Sequence, residues 1–316
     1  MYVKSRVVFG CAFALFGSTL RAQVADLAYT RSITAIARRQ AADDSLAVPG
    51  ARSILLTGGA RTPRVIVLLH GLTDSPRQFE TLAYRLHADG SNVYVPRLPQ
   101  HGLRGGDAGA LSALTAAQLQ GVADSVVTEA RGLGDSVVVM GLSMGATMGA
   151  WIAQARHVAR VVLIAPAIQP GRIPSLLDRP IIGLADHIPS IVRRSQPDVA
   201  RPDREMGFNL HAVAEIFELG VSVRNAAARE APRTRDIVVL VNAADRTVKE
   251  SAAEAVARRW AMHGATVAVF ELPDSLRLPH NVIDPMRGRT AGDAMLALLR
   301  QLAYGLPPTA LVRRVE

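Results

Sequence analysis

Four runs of β-branched and leucine residues, Val65–Leu69, Ser136–Met140, Val161–Ala165 and Ile237–Val241, show no alternation of apolar with polar positions. A strand with one wet face alternates, whereas a strand that is apolar throughout is covered on both faces. Asn92–Pro96 and Thr266–Leu272 are two further β-rich stretches. Helical patterns lie between these strands. Phe79, Leu82, Ala83 and Leu86 repeat at i, i+3, i+4 and i+7, one buried stripe. Leu119, Val122, Val126 and Val127 give a second stripe, and residues 250–263 and 291–304 read as two more helices. Strands alternating with helices predict an α/β chain built on a mostly parallel, doubly wound sheet.

The punctuation agrees with this register. Ser75 is placed to cap a helix that has Pro76 at its first position, and Gln78 is placed to complete a capping box. Thr115 and Gln118 form a second such pair, Gly90 stops the first helix, and Gly132 and Gly134 break the next.

One region departs from the alternation. From Pro166 to Arg235 no strand is predicted, and Pro170, Pro174, Pro180, Pro189, Pro197 and Pro202 divide it into short pieces. Apolar clusters sit between them, Ile181, Ile182 and Leu184, then Ile188, Ile191 and Val192, and residues 212–228 read as one helix. So long an insertion between two sheet strands exceeds a plain crossover and is expected to form a helical cap over the sheet.

Composition narrows the function. Hydrophobic residues make up 49% and charged residues 20%, which suits a packed core and excludes a wholly disordered chain. The net charge is +9, and Lys4 and Lys249 are the only lysines. The arginines are scattered and aromatics are only 4%, so nothing resembles a stacking groove for nucleic acid. Attraction to an anionic lipid surface stays open. The single cysteine, Cys11, excludes a disulfide framework and a Cys-based zinc site. Lys4 and Arg6, the apolar stretch Val7–Leu20 and then Ala22 read as a signal peptide over residues 1–22, with an uncleaved membrane anchor as the alternative.

The chemistry gathers at three predicted strand ends. Gly141-Leu142-Ser143-Met144-Gly145 follows one buried strand and precedes a small-residue segment, the G-x-S-x-G pattern that exposes a serine on a tight strand-to-helix turn. A nucleophilic serine needs a base, and the base needs an orienting acid. Asp245 lies just past the strand Ile237–Val241, and His280 lies in the loop after Thr266–Leu272. Parallel strands place all three at one sheet edge. His70-Gly71-Leu72 ends the first strand, where the backbone N–H of Leu72, with that of Met144, is expected to face a developing oxyanion. His70 itself is expected to shape the turn.

With these residues in view, the chain resembles the α/β-hydrolases, and within them the carboxylesterase and monoacylglycerol-lipase branch. The segments that carry the resemblance are HGLTDSP at 70–76, PQHG at 99–102, GLSMG at 141–145, AADRTV at 243–248 and LPHNVID at 278–284. It covers about 53–304. Gln100 stands where the family usually has glycine, and Asp74 stands where glycine is frequent.

The resemblance implies an α/β-hydrolase fold with an inserted helical cap. Ser143 would be the nucleophile, His280 the base, Asp245 the orienting acid, and Leu72 and Met144 the oxyanion donors. It implies a small-molecule acyl ester as substrate, monoacylglycerol-like or of medium chain, with neither metal nor organic cofactor. An amide, thioester or acyl-transfer reaction would use the same triad, and a non-catalytic binding protein on this scaffold is a third class. The expected organisation is a signal peptide over 1–22 with export, a helical extension over 23–52, a core over 53–165 and 236–304, a cap over 166–235 and a tail over 305–316.

Overall fold

A computed structural model describes residues 8–105, 109–171, 192–194, 207–283, 292–308 and 311–315. The apolar cap clusters from Ile181 to Ile191, and Asp284 of the last motif, lie outside these residues. The described elements run α1 (Val8–Leu46), β1 (Ile54–Leu56), β2 (Thr62–Leu69), α2 (Glu80–Ala88), β3 (Asn92–Val95) and α3 (Ala116–Ala130). Next come β4 (Gly134–Leu142), α4 (Met144–Ala155), β5 (Arg160–Ile164), β6 (Val192–Arg194) and β7 (Gly207–Asn209). The chain ends with α5 (Leu210–Ala227), β8 (Asp236–Asn242), α6 (Glu250–Met262), β9 (Thr266–Leu272), α7 (Gly292–Tyr304) and β10 (Arg313–Val315).

The main sheet has eight strands in the order β1-β3-β2-β4-β5-β8-β9-β10. The six inner strands are parallel, and β1 and β10 close the edges antiparallel. The inner strands are those expected from the apolar runs, and their residues divide between two cores. Val65, Val67 and Leu69 of β2 pack with α1, α3, α4, α5 and α6, while Ile66 and Leu68 pack with α2 and α7. The central strands are thus buried on both faces, which is why alternation is missing from their sequence, while β9 is only partly covered.

Several expectations are corrected. The region from 166 to 235 contains strand after all, the short antiparallel pair β6 and β7, too brief to leave a pattern. The stretch after 304 includes β10, paired with β9, and so is more than a tail. The capping box at Thr115 and Gln118 forms with both of its bonds. That at Ser75 does not: the Ser75 side chain accepts the Arg77 N–H, but Gln78 bonds elsewhere.

The helix α1 runs through the extension expected over 23–52 and is fastened to the body. Ser32 Oγ accepts the Gly132 N–H, and a Cβ at Gly132 would lie 2.1 Å from the Ala28 carbonyl oxygen, so glycine is required for this approach. Arg39 forks onto Glu129, which also accepts the Tyr94 hydroxyl at 2.7 Å. Burial first, then the Glu129 charge, pushes the Tyr94 phenol far up, so it stays a donor. Asp43 pairs with Arg97 at 2.7 Å and accepts two bonds from Ser53. Among the described residues no helix is long and apolar enough to cross a membrane.

Candidate active site

The strand β4 ends at Leu142 and α4 begins at Met144, so Ser143 makes the whole turn. Its φ of 54° and ψ of −114° are strained for a residue with a Cβ. The flanking glycines are needed for closeness. A Cβ on Gly141 would lie 2.3 Å from Gly145 O, and one on Gly145 would lie 2.0 Å from Leu69 O. The turn is held by the Ser143 N–H, which donates to Ile164 O, and by Ser143 O, which accepts from the Thr147 N–H.

Past the end of β8 the chain turns through a bond from the Asp245 N–H to Asn242 O at 2.8 Å. The Asp245 side chain is fully buried; Oδ1 accepts the Thr247 N–H at 2.7 Å and Oδ2 lies 2.5 Å from His280 Nδ1. A carboxylate on Nδ1 fixes the ring proton there and leaves Nε2 as an acceptor. Nε2 is buried and, among the described residues, has no hydrogen-bond partner. His280 and Ser143 line the same cavity, without a bond between imidazole and hydroxyl. A loose contact of this kind is common before substrate binds.

That cavity encloses about 440 Å³. Leu72, Leu142, Val248 and the α5 residues Val213, Ile216 and Phe217 give it apolar walls, and Arg246, Thr247 and Thr73 line a more polar part. Among the described residues of the expected cap region, α5 contributes three of these apolar side chains. Of the two expected oxyanion donors, Leu72 lines the cavity. Met144 is the first residue of α4, where a backbone N–H has no acceptor within its own helix, and its side chain is buried in the core.

His70 has the structural role expected of it. Its Nδ1–H donates to Gly71 O at 2.9 Å and its Nε2 accepts the Leu98 N–H at 3.2 Å, one tautomer satisfying both contacts. His101 meets it edge-on with ring centroids 5.1 Å apart. Burial brings the His101 imidazole down to about 4, so it is neutral near pH 7.

Four side chains support the site through contacts that the sequence did not reveal. Asn242 Nδ2 donates to both Leu278 O and Pro279 O at 3.1 Å, setting the loop that carries His280. Gln78, Asp74 and Asn281 form a connected set beside the Gly71–Leu72 turn. Asp74 and Asn281 stand inside the motifs at 70–76 and 278–284 and Gln78 reads as part of a capping box, but contacts between distant loops have no period and these bonds stayed hidden.

A family model described as the alpha/beta hydrolase family matches residues 66–304. No curated protein matches the chain. Among solved structures, one described with LipS and LipT, two metagenome-derived lipolytic enzymes, superposes with a TM-score of 0.60 at 21% identity, covering 82% of this chain and 98% of that one. A monoacylglycerol lipase of Paleococcus ferrophilus gives 0.57 at 18% identity, over 79% of this chain and 98% of that one. A soluble variant of monoglyceride lipase from Saccharomyces cerevisiae gives 0.60 at 12%, over 82% and 92%. At such identities the likeness is one of fold. The strand-to-helix turn at Ser143, the mostly parallel sheet and a family match over most of the sequence lead to one conclusion: the chain belongs to the alpha/beta hydrolase family.

Proposed function

We propose that the protein is a serine esterase that cleaves acyl esters through an acyl-enzyme intermediate. The observation that carries this reading is His280, which is backed by Asp245, lines one cavity with Ser143 and has a buried Nε2 without a partner among the described residues. Ser143 Oγ attacks the ester carbonyl while His280 Nε2 takes its proton. The tetrahedral oxyanion forms against the N–H groups of Leu72 and Met144; one such donor is worth about 3 kcal/mol of barrier. The alcohol leaves with the proton from His280. Water, deprotonated by the same nitrogen, attacks the acyl-enzyme, and the acid departs as Ser143 regains its hydrogen. Asp245 keeps the imidazole in the required tautomer throughout.

The apolar walls of the cavity favour an acyl chain over a charged group, and a monoacylglycerol-like or medium-chain ester suits its volume. We also infer that residues 1–22 direct export. Supporting this are the basic start and the short apolar core of those residues. N-terminal sequencing of the exported protein tests that point.

The main test is hydrolysis of a p-nitrophenyl ester series and a set of aminoacyl anilides, beside Ser143→Ala. The expected result is ester turnover that peaks at medium chain length and falls by several orders of magnitude in the variant. Faster anilide cleavage would move the assignment to an amidase, and equal rates for variant and parent would end it. Fluorophosphonate labelling should mark the parent and spare Ser143→Ala.

A further inference from the structure

Asp74 is almost fully buried, yet it is outside the proposed triad. It ends the turn Gly71–Asp74, closed by a bond from its own N–H to Gly71 O at 3.3 Å, with Thr73 at a φ of 66°. Its Oδ1 accepts the Ser75 N–H at 3.1 Å. Its Oδ2 accepts from Gln78 Nε2 at 3.1 Å and from Asn281 Nδ2 at 3.3 Å. Gln78 in turn accepts the Gly71 N–H through Oε1 at 2.9 Å. One carboxylate is therefore held by donors from two separate loops: the turn that carries Leu72, and the segment next to His280.

From this network we infer that Asp74 is a positioning residue. Resting on the esterase reading, it sets the separation between the oxyanion-binding turn and the His280 loop. A buried carboxylate only accepts, so every donor around it must point inward. The Gln78 amide is oriented from both ends, with its oxygen committed to Gly71 and its nitrogen to Asp74. A change at Asp74 is thereby transmitted to the Gly71–Leu72 backbone and, through Asn281, to His280. Glycine at this position would make neither contact.

The discriminating variant is Asp74→Asn, nearly identical in shape, which sets an NH₂ group against the amide nitrogens of Gln78 and Asn281. The change Gln78→Glu restores acceptor to donor across that bond and keeps the acceptor for Gly71. On p-nitrophenyl esters we expect Asp74→Asn to lower kcat roughly 10- to 100-fold, with KM little changed. The double variant should recover part of that loss, because the Gln78 contact is matched again while the Asn281 contact stays mismatched. Asn281→Ala, which removes one donor, should lower kcat in the same direction by less. Circular dichroism and thermal melting establish folding in each case.

A folded Asp74→Asn with the parent's kcat overturns the inference, and so does a double variant no better than the single one. If Asp74→Asn does not fold, Asn281→Ala decides: an unchanged kcat overturns the role and a reduced one supports it. A parent protein inert to every ester and unlabelled by fluorophosphonate removes the esterase reading, and the positioning role with it. An active parent beside unaffected variants removes the positioning role alone.

Discussion

Asp245 and His280 meet at 2.5 Å, the carboxylate wholly shielded and its other oxygen held by the Thr247 N–H. The imidazole is thereby oriented by a group that cannot swing away. In Asp245→Asn an amide faces Nδ1 and the other tautomer becomes favoured, its proton on the nitrogen that must accept one. The expected loss in kcat is about 10⁴-fold, with a melting temperature close to the parent's. Steady-state kinetics on one activated ester, beside a thermal melt, checks both.

Two glycines beside the site are expected to behave oppositely. At Gly145 a Cβ would meet backbone oxygens of Leu69 at 2.0 Å and His70 at 2.7 Å, neither free to move. Gly145→Ala should therefore fold poorly or lose about 2 kcal/mol or more. At Gly71 the nearest atoms would be 3.7 Å away, an ordinary contact. Gly71→Ala should fold normally and express itself in KM, since Gly71 lines the cavity. Urea denaturation of the two proteins separates the cases.

A pH dependence is expected from Glu250, whose carboxyl is raised to about 7 by burial and then by Glu271, Glu254 and Asp245, with Arg313 opposing. With the folded value above the unfolded one, stability from this group is complete below about 4.5 and is lost as pH rises through about 7. Glu250→Gln removes the charge at issue. It should raise the melting temperature at pH 8.5 relative to the parent and leave it little altered at pH 4.5. Equal shifts at both pH values would contradict the assignment.

The inner sheet was legible because burial on both faces leaves unbroken apolar runs such as VIVLL, rich in β-branched residues and alternating with helical patterns. The edges were not. Ile54–Leu56 is half-buried and three residues long, and Arg313–Val315 begins with two arginines, one of them paired with Glu271 of β9. Ser143, Asp245 and His280 could be found because each follows a readable strand, so topology alone brings them to one edge. Gln78 was misread because its local spacing fits a capping box equally well. What drew it away is the Gly71 N–H, seven residues back and visible only once the turn is built. Asn242 and Asn281 bear the same lesson: side chains that bond the backbone or a carboxylate of another loop leave no periodic trace.

The dihedral angles of Ser143 carry a consequence for durability. That conformation suits glycine and costs another residue about 1–3 kcal/mol, which the surrounding sheet must offset. Ser143→Ala retains the Cβ and should melt near the parent's temperature, whereas Ser143→Gly should melt higher, although glycine gives up part of the gain to a looser unfolded chain. On the proposed function, heat resistance would rise in a protein that can no longer react, and the sequence keeps a strained residue at the place assigned to its nucleophile.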